Sequence, residues 1–543
     1  MNPAPDHPPK PRRAGGYAAL VAAGILLSRV AGLVRTRVMA HFLGNSPAAD
    51  AFNAALKVPN FLQNLFGEGV LSASFIPVYA RLLARGDEKL AGRVAGVIAT
   101  ILALVTSILV LGGVLLTPAL IDLIAPGFAG QTRALTIEIV RILFPGVGLL
   151  VFSAWCLGIL NSHRKFFLSY VAPVLWNAAM IATLVIFGTR LAQGPLAVAL
   201  AWGTVAGCAL QFGVQVPFVL RHARHLSFGV DTQLAPVREV VRNFGPVVVG
   251  RGVVQLSAYV DQMIASYLPA GAVASLSYAQ VLYLLPISLF GMSVAAAELP
   301  QMSGEGGAGE ERNAALRARL SRGLRQISFF VVPTVVAFLL IGRVLVAALY
   351  QTGKFGPEVT RYVWYILGGS TVGLLAATLG RLYSSAFYAL GDTRTPLKCA
   401  TVRVILTGTL GYLFAFPLRP LIVRAIELAG LPIPAVPGGA AALGAIGLTA
   451  SAGIAGWVEF LLLRRGLQRR IGPIDAARGH ELKLWIAALL AGAAAFAVDR
   501  AVTLHPIPEA VVVAGVMGIA YFAIGFALGV PEVRATLGRF ARR

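Results

Sequence analysis

The sequence predicts an all-α polytopic membrane protein with about 14 transmembrane helices. Two six-helix lobes, related by a parallel pseudo-two-fold repeat, are expected to surround a central cationic cavity, and two C-terminal helices follow. Three observations support this fold class: an apolar composition, a one-sided distribution of Lys and Arg, and a weak internal repeat. Of the 543 residues, 57% are hydrophobic and 13% are charged, with a mean hydropathy of +0.77. Soluble chains carry about 25% charged residues.

Fourteen apolar runs are long enough to cross a bilayer as helices. They cover residues 17–42, 48–80, 94–118, 136–160, 166–188, 195–220, 240–268, 271–302, 323–350, 360–389, 396–418, 438–463, 483–501 and 508–530. The Pro-rich, basic segment 1–16 is predicted to be a disordered tail. The run after it lacks the small-residue cleavage site of a signal peptide, so we expect it to be retained. The predicted organisation has an N-lobe at 17–228 (helices 1–6), a C-lobe at 239–466 (helices 7–12), and helices 13–14 with a short basic tail at 480–543.

The Lys and Arg residues predict the orientation. With the N-terminus inside, 30 of the 46 lie in cytoplasmic segments, 7 in outer loops and 9 within predicted spans. This bias follows the positive-inside rule and agrees with an even number of spans and two cytoplasmic termini. It also accounts for most of the net charge of +23. Nucleic-acid binding, which needs a clustered soluble basic face, is not expected.

The internal repeat relates the two predicted lobes. LFGEGVLSASFIP at 65–77 resembles LFGMSVAAAELP at 289–300, with an offset of 224 between their glycines. Gly-Phe at 127–128 matches Gly-Lys-Phe at 353–355 in a similar register. Because each repeat contains six helices, an even number, both lobes enter the membrane in the same direction.

The stretch 29–77 combines apolar patterning with embedded charge. It carries Arg29, Arg35, Arg37, Asp50, Lys57 and Glu68. A charge at a helix centre costs about 2.5–3.5 kcal/mol in a membrane. If one unbroken helix runs from Asp50, then Lys57, Asn64 and Glu68 fall within about 40° of it. We therefore expect a polar seam facing the bundle interior and met by the arginines of the preceding helix. Snorkelling with internal salt bridges is the alternative.

The seventh predicted span carries a second polar stripe. Arg251, Gln255 and Gln262 fall within about 40° on a helix, and Asp261 lies about 80° from them. We expect Asp261 to pair with Arg251 or with Arg403. Binding of a coupling cation, or titration, is the alternative for this carboxyl group.

Motifs for enzymes, metals and cofactors are absent from the sequence. The seven histidines have no metal-ligand spacing, and no P-loop occurs. The GxGxxG match at 304–309 follows no predicted strand, so we interpret it as a flexible linker. Cys156, Cys208 and Cys399 are expected to be buried free thiols. We therefore predict no catalytic residues, no metal and no cofactor.

Nine embedded cations, counted one by one, would cost roughly 20–30 kcal/mol on insertion. A water-filled cavity that holds an anion removes most of that cost. Phosphate and diphosphate suit arginine because the guanidinium group forms charge-assisted, often bidentate hydrogen bonds. The charge pattern therefore favours translocation of an anionic, lipid-linked substrate.

Particular motifs then resemble a known family. The segment SRVAGLVR…DAF…LKVPNFLQNLFGEGVLSASFIP strongly resembles the first two helices of the MurJ/MviN family of lipid II flippases, within the multidrug/oligosaccharidyl-lipid/polysaccharide exporter superfamily. ALYQTGKF at 348–355 and FYALGDTRTPLKCATVRV at 387–404 resemble that family's second lobe. The resemblance implies that lipid II, an undecaprenyl-diphosphate-linked disaccharide-pentapeptide, is moved from the inner to the outer leaflet by alternating access, for peptidoglycan synthesis.

The resemblance also implies roles for residues. Arg29 and Arg35 match the first-helix arginines expected to meet the diphosphate, and Asp50, Lys57 and Glu68 match polar positions needed for transport. Asn64 joins them on the seam. Val281 stands where the family carries a cavity arginine, and we expect Arg251 to compensate.

The difference from the family at Val281 keeps two alternatives open. One is export of another polyprenyl-diphosphate-linked oligosaccharide or a drug, and the other is a non-transporting scaffold of the cell-wall machinery. The resemblance further implies a monomeric, multi-pass protein of the bacterial cytoplasmic (inner) membrane. Its expected partners are lipid II, membrane lipids and other cell-wall synthesis proteins. Membrane potential or a monovalent cation would supply the energy.

Overall fold

The computed structural model describes residues 14–66, 68–304, 309–474 and 478–540, and every regular element in these ranges is helical. The fold class is therefore confirmed as all-α. Of the predicted disordered tail, residues 1–13 lie outside the described ranges, and the first helix already begins at Ala14. The linker predicted at 304–309 also lies largely outside them.

Twenty α-helices follow one another along the chain. They are α1 (Ala14–Leu43), α2 (Pro47–Phe66), α3 (Glu68–Ala84), α4 (Glu88–Ile124), α5 (Gly130–Ser162), α6 (Phe166–Phe187), α7 (Gln193–His222), α8 (Ala235–Ser266), α9 (Ala272–Pro286), α10 (Ser293–Ser303), α11 (Glu310–Leu340), α12 (Gly342–Tyr350), α13 (Pro357–Thr371), α14 (Leu374–Ala389), α15 (Arg394–Ala415), α16 (Arg419–Leu428), α17 (Gly444–Ile471), α18 (Arg478–Ala501), α19 (Pro506–Ala527) and α20 (Pro531–Phe540). A π-helical segment, Ile287–Met292, joins α9 to α10, and a 3-10 segment, Gly439–Leu443, precedes α17.

Each of the fourteen predicted spans falls on one of these helices or on a consecutive set of them. Nine helical stretches in the described ranges are long and apolar enough to cross a membrane. A tenth is formed by α13 and α14 together, which are bent by 43° at their junction. The chain is thus a multi-pass membrane protein, while the number fourteen stays a prediction.

One run predicted as a single helix is irregular. Within the run 271–302, the segment Ile287–Met292 is π-helical and contains Gly291. The run 48–80 is helical up to Phe66 and again from Glu68, and residue 67 lies outside the described ranges. π-Helical turns occur where a helix accommodates an extra residue, often at functional sites. The pseudo-two-fold relation of the lobes stays a prediction.

The chain forms two compact units. Unit 1 contains the chain up to Met39 together with Ala54–Ile121 and Arg133–Gln255. Unit 2 contains Ala40–Asn53, Asp122–Thr132 and Leu256–Arg543. Two short segments of the first half, which include the α1–α2 turn and the α4–α5 loop, therefore pack with the second half of the chain.

Unit 1 is held together by close helix contacts and by buried polar groups. A Cβ atom at Gly96 would lie 2.2 Å from the backbone oxygen of Ser227, so only glycine lets α4 approach that segment. Between α5 and α7, Gln211 donates to the Ser153 hydroxyl at 3.0 Å, and Ser153 donates to Gln215 Oε1 at 3.0 Å. Satisfied polar groups of this kind specify one packing of the two helices.

In unit 2, α18 and α19 dock on α11 and α12. Their shared apolar cluster includes Phe329, and the hydroxyl of Tyr521 donates to the Phe329 backbone oxygen at 2.8 Å. At the far end of the same contact, Arg343 lies 3.1 Å from Asp499 and 3.7 Å from Glu509. The two last long helices are therefore fastened by packing along their length and by an ionic cluster at one end.

The start of α15 is fixed by Asp392, in the motif that reads GDTRTPLK. Its carboxylate accepts the backbone N–H groups of Arg394 at 2.9 Å and Thr395 at 3.0 Å, and the Thr395 hydroxyl at 2.6 Å. Arg470 approaches to 2.5 Å. The hydrogen bonds from Thr395 first, and then Arg470, lower the pKa of Asp392 from 3.8 to about 2. The ionised carboxylate thus caps the first turn of the helix.

We expect Asp392→Asn to lower the melting temperature of the purified protein at pH 7. Because the folded pKa lies below the unfolded one, the carboxylate stabilises the fold above pH 3.8, and this contribution is lost as pH falls towards 2. The difference between wild type and variant should therefore shrink over that range. Glu427→Gln, at an exposed position of α16, is the control. Equal melting temperatures of wild type and Asp392→Asn at pH 7 would contradict the assignment.

Candidate functional site

Two arginines of α1 lie in unit 1, and they differ in environment. Arg29 is exposed, and it makes no hydrogen bond or ion pair with another described residue. Arg35 is half-buried, with its guanidinium carbon 5.0 Å from the ring centre of Trp176 on α6. Six residues separate the arginines, so they point about 120° apart around the helix. Only Arg35 is held in place by a neighbour that the structure identifies.

The contact between Arg35 and Trp176 is a cation–π interaction. The guanidinium carbon lies over the ring, and a guanidinium group in such a contact keeps its full charge. Sequence reasoning did not identify Trp176, because no spacing rule links a helix-6 aromatic residue to a helix-1 arginine.

The predicted seam is only partly described. Asp50, Lys57 and Asn64 share helix α2, and Glu68 is the first residue of α3. Residue 67, between the two helices, lies outside the described ranges, so the expectation of one unbroken helix from Asp50 to Glu68 stays a prediction. Lys57 is half-buried.

Three predicted site side chains lie outside what the structure describes: Asn64, Glu68 and Arg251. Their roles in substrate binding, and the compensation expected from Arg251, stay predictions.

Asp50 belongs to unit 2, where it caps helix α9. Its side chain is buried, with 3% of the residue exposed. One carboxylate oxygen accepts the backbone N–H of Gly271 at 2.5 Å, and the other accepts that of Ala274 at 2.7 Å. These N–H groups are among those that a helix start leaves without partners, and the helix dipole favours a negative charge there. The structure therefore gives Asp50 a helix-capping role, which sequence reasoning missed. Its predicted part in substrate binding stays a prediction.

Glycine is required on both sides of this contact. Gly271 has a φ of +89°, and a Cβ atom there would lie 2.2 Å from the backbone oxygen of Asn45. Gly44 has a φ of +57°, and its Cβ would lie 2.8 Å from the backbone oxygen of Lys354. Both positions combine a left-handed backbone with close approach of another chain segment, which only glycine permits without strain.

Four turns of unit 2 pack together around this cap, and we call them the four-turn cluster. They are the α1–α2 turn at 44–46, the α4–α5 loop at 125–129, the α8–α9 turn at 267–271 and the α12–α13 loop at 351–356. The predicted topology places all four on the same, outer side of the membrane. The internal repeat relates the first turn to the third and the second to the fourth.

Within the four-turn cluster, a loop from each half of the repeat contacts a helix end from the other half. The α4–α5 loop meets the end of α8, because the N–H of Gly127 donates to the Ser266 hydroxyl at 3.0 Å. The matching α12–α13 loop meets the end of α1, because the N–H of Lys354 donates to the His41 backbone oxygen at 2.9 Å. His41 Nδ1 also lies 2.7 Å from the Thr352 hydroxyl. Each repeat thus supplies a loop to the helix end of the other.

A buried aromatic group underlies the four-turn cluster. The hydroxyl of Tyr278 donates to the Gly44 backbone oxygen at 2.9 Å. Its ring lies 5.3 Å, centre to centre, from both Tyr350 and Phe355, and all three rings are buried. The cap of Asp50 therefore sits on packed aromatic side chains.

Asp261 and Arg403 both lie in unit 2. The identified partner of Arg403 is Glu459, at 3.1 Å. The sequence analysis did not consider Glu459 as this partner. Asp261 is half-buried, and its pairing with Arg251 falls outside the described side chains.

Metal-dependent chemistry finds little support in the described part of the chain. Its residues contain no group of three or more His, Cys, Asp or Glu side chains that could hold a metal ion. Cys156, Cys208 and Cys399 are free and buried, as predicted.

Comparisons with known proteins agree with this architecture. The family model "Lipid II flippase MurJ" matches residues 39–507. A protein of Rhizobium meliloti (strain 1021) described as "Probable lipid II flippase MurJ" is 30% identical over 538 residues, covering 94% of this chain and 93% of that protein. The "Lipid II flippase MurJ" of Burkholderia cenocepacia is 31% identical over 451 residues, covering 82% of each chain.

Solved structures show the same fold. A "Lipid II flippase MurJ, inward closed conformation" superposes with a TM-score of 0.75 at 22% identity, covering 93% of this chain and 98% of that one. An inward-facing multidrug resistance MATE family transporter of the MOP superfamily superposes with a TM-score of 0.62 at 17% identity, covering 84% and 98%. The match of the family model over most of the sequence is decisive: this chain belongs to the lipid II flippase MurJ family.

Proposed function

We propose that this protein is a transporter that moves lipid II from the inner to the outer leaflet of the bacterial cytoplasmic membrane. The observation that carries the proposal is Arg29, an exposed arginine of an apolar helix without an ion-pair partner among the described residues. A charge at such a position is costly unless it meets water or an anion. Membership of the flippase family identifies that anion as a lipid-linked diphosphate.

Arg29 and Arg35 have distinct parts in diphosphate binding. Arg35 is positioned by the ring of Trp176, so its N–H groups are pre-organised and little side-chain entropy is lost on binding. Arg29 is exposed and adapts to the ligand. Lys57 on α2 adds a third positive charge, and Arg251 and Glu68 complete the predicted set.

The four-turn cluster acts as the outer gate of an alternating-access cycle. Releasing a substrate to the outer leaflet requires that these turns separate. Separation breaks the two hydrogen bonds to Asp50, the bond between Tyr278 and Gly44, and the contact between His41 and Thr352. Because each bond is individually modest, the cluster can close firmly and still open as a unit.

The membrane potential supplies energy for the cycle. With the cytoplasm negative, outward movement of a negative charge gains about 2.3 kcal/mol per 100 mV. Binding of a monovalent cation at Asp261 is a second route of coupling.

The topology of the proposal places both termini in the cytoplasm, as the distribution of Lys and Arg predicts. The protein acts as a monomer without a cofactor and supplies substrate to other cell-wall synthesis proteins.

A second candidate substrate is another polyprenyl-diphosphate-linked oligosaccharide or a drug. Val281, half-buried on α9, stands where the family resemblance expects a cavity arginine, and this difference favours a relaxed specificity. Comparing the binding of lipid II with that of other polyprenyl diphosphates distinguishes the two candidates.

Replacing Arg29 by Ala should abolish complementation of a flippase-depleted bacterium, because a principal diphosphate contact is lost. An outer-leaflet lipid II probe measures the flipping itself, and membrane fractionation verifies that the variant inserts. Arg190→Ala, at an exposed turn position, should complement fully. Full rescue by Arg29→Ala would refute the proposed role of this residue.

Replacing Asp50 by Ala should accelerate hydrogen exchange at the first turn of α9 by roughly tenfold, since the N–H groups of Gly271 and Ala274 lose a charged acceptor. Exchange mass spectrometry of the full-length protein measures peptides that span 269–278. Asp231→Ala, at a site paired with Arg93 in unit 1, should leave these peptides unchanged. Unchanged hydrogen exchange in Asp50→Ala would contradict the proposed role of Asp50 in the gate.

Dissipating the membrane potential with valinomycin and potassium should slow the appearance of lipid II in the outer leaflet, because the anionic substrate then gains no energy on crossing. The leaflet probe reports the rate in cells that express this protein as their flippase. An unaltered rate would exclude the potential as the driving force and leave cation coupling.

A further inference from the structure

Unit 2 contains a cleft that none of the proposed transport residues enters. It lies among α11, α14, α17 and the beginning of α18, and the volume accessible to the centre of a water-sized molecule is about 30 Å³. Its polar lining comes from Ser321, Arg325, Ser328, Tyr383, Arg464 and Glu481. We propose that this cleft binds a phosphate group, presented either by an anionic lipid headgroup or by free phosphate. The inference stands independently of the flippase proposal.

Two arginines in the cleft lack a carboxylate partner. Arg325 is exposed and Arg464 is half-buried, and neither forms a hydrogen bond or ion pair with a residue that the structure describes. The neighbouring arginines of the same helices are paired: Arg317 with Glu310 at 2.5 Å, and Arg470 with Asp392 at 2.5 Å. These two acids are therefore engaged elsewhere, and Arg325 and Arg464 are open to an anion in the cleft.

Two hydroxyl groups line the cleft beside the arginines. As whole residues Tyr383 is 2% exposed and Ser328 is 3% exposed, and neither hydroxyl hydrogen-bonds to another described residue. Both oxygens stay accessible from the cleft. The Tyr383 ring is fixed edge-on against Phe460, with the ring centres 5.4 Å apart, so its hydroxyl is held at the wall of the cleft. Both hydroxyls can donate to a phosphate oxygen.

The other titratable groups leave the cleft positive. Glu481 is an exposed carboxylate at the rim and opposes two guanidinium groups. His480 also lines the cleft, and its Nε2 lies 3.4 Å from Glu532 of α20. The balance of charge therefore favours an anion.

Donor chemistry and apolar lining together define the ligand class. Two planar guanidinium groups and two hydroxyls match the several acceptor oxygens of a phosphate. Leu324, Leu379 and Phe460 complete the lining and offer a surface for an acyl chain. Basic pockets between transmembrane helices on the cytoplasmic side bind lipid headgroups in this way, and the predicted topology places the cleft on that side.

Native mass spectrometry of the full-length protein in detergent tests the proposal. The probes are dioleoylphosphatidylglycerol, the phosphate-free dioleoylglycerol, and inorganic phosphate. The double variant R325Q/R464Q should bind phosphatidylglycerol at least about tenfold more weakly than wild type, because it loses two charged donors. The matched control R322Q/R465Q removes the same charge from exposed positions of the same two helices outside the cleft and should bind normally.

The probes also separate the two sources of the phosphate group. Phosphatidylglycerol adducts that depend on Arg325 and Arg464, and that inorganic phosphate does not displace, identify a lipid site. Displacement by inorganic phosphate identifies a site for the free anion. Equal binding of phosphatidylglycerol and dioleoylglycerol, or equal losses in both double variants, overturns the proposal.

A hydroxyl variant keeps the test valid if the double arginine variant does not yield monodisperse protein. Tyr383→Phe retains the ring and its packing and removes only one donor. Weaker phosphatidylglycerol binding by several-fold supports the site, and unchanged binding overturns it.

Discussion

The cost of placing charge in an apolar helix governs this structure. The described part of the chain meets that cost in four ways: an aromatic ring over Arg35, carboxylates beside Arg343 and Arg403, backbone N–H groups around Asp50, and exposure of Arg29. The first three are internal solutions, and they stabilise the fold. The fourth leaves a cation without a protein partner, and a transporter of anionic lipids can use such a cation.

The position of Asp50 distinguishes helix capping from substrate binding, two roles that the sequence does not distinguish. In the sequence, a carboxylate among cations suggests a counter-ion in a binding site. Here both of its oxygens are occupied by the first turn of α9, and it joins turns from both halves of the chain within unit 2. In the proposed function, substrate contact rests with the arginines of α1, while Asp50 contributes to the closed state of the four-turn cluster. A cycle of alternating access needs both elements, because binding and gating must change in sequence.

The distribution of positive charge has a second consequence. Most Lys and Arg residues on the predicted cytoplasmic side follow the positive-inside rule and need no further role. Arg325 and Arg464 differ from them, because they line one cleft together with the hydroxyls of Tyr383 and Ser328. If this cleft holds a lipid phosphate, the protein recognises an annular lipid at a place separate from its transport residues. Such a ligand would brace α18, and with it the docked pair α18–α19, against α11 and α17.

Hydropathy and helix signals by themselves determined the all-helical membrane fold and the approximate bounds of its helices, because both are sums over neighbouring residues of one segment. The cost of embedding charge in an apolar helix likewise indicated the arginines of α1 as candidate binding residues. Local pattern did not predict the π-helical segment at 287–292. Nor did it identify the partners of the embedded charges: Trp176 for Arg35, Glu459 for Arg403, and the start of α9, 221 residues from Asp50. Only the tertiary structure decided these partners. Which residues distant in sequence come into contact depends on which helices pack together, and the periodicity of a single helix carries no information about that packing.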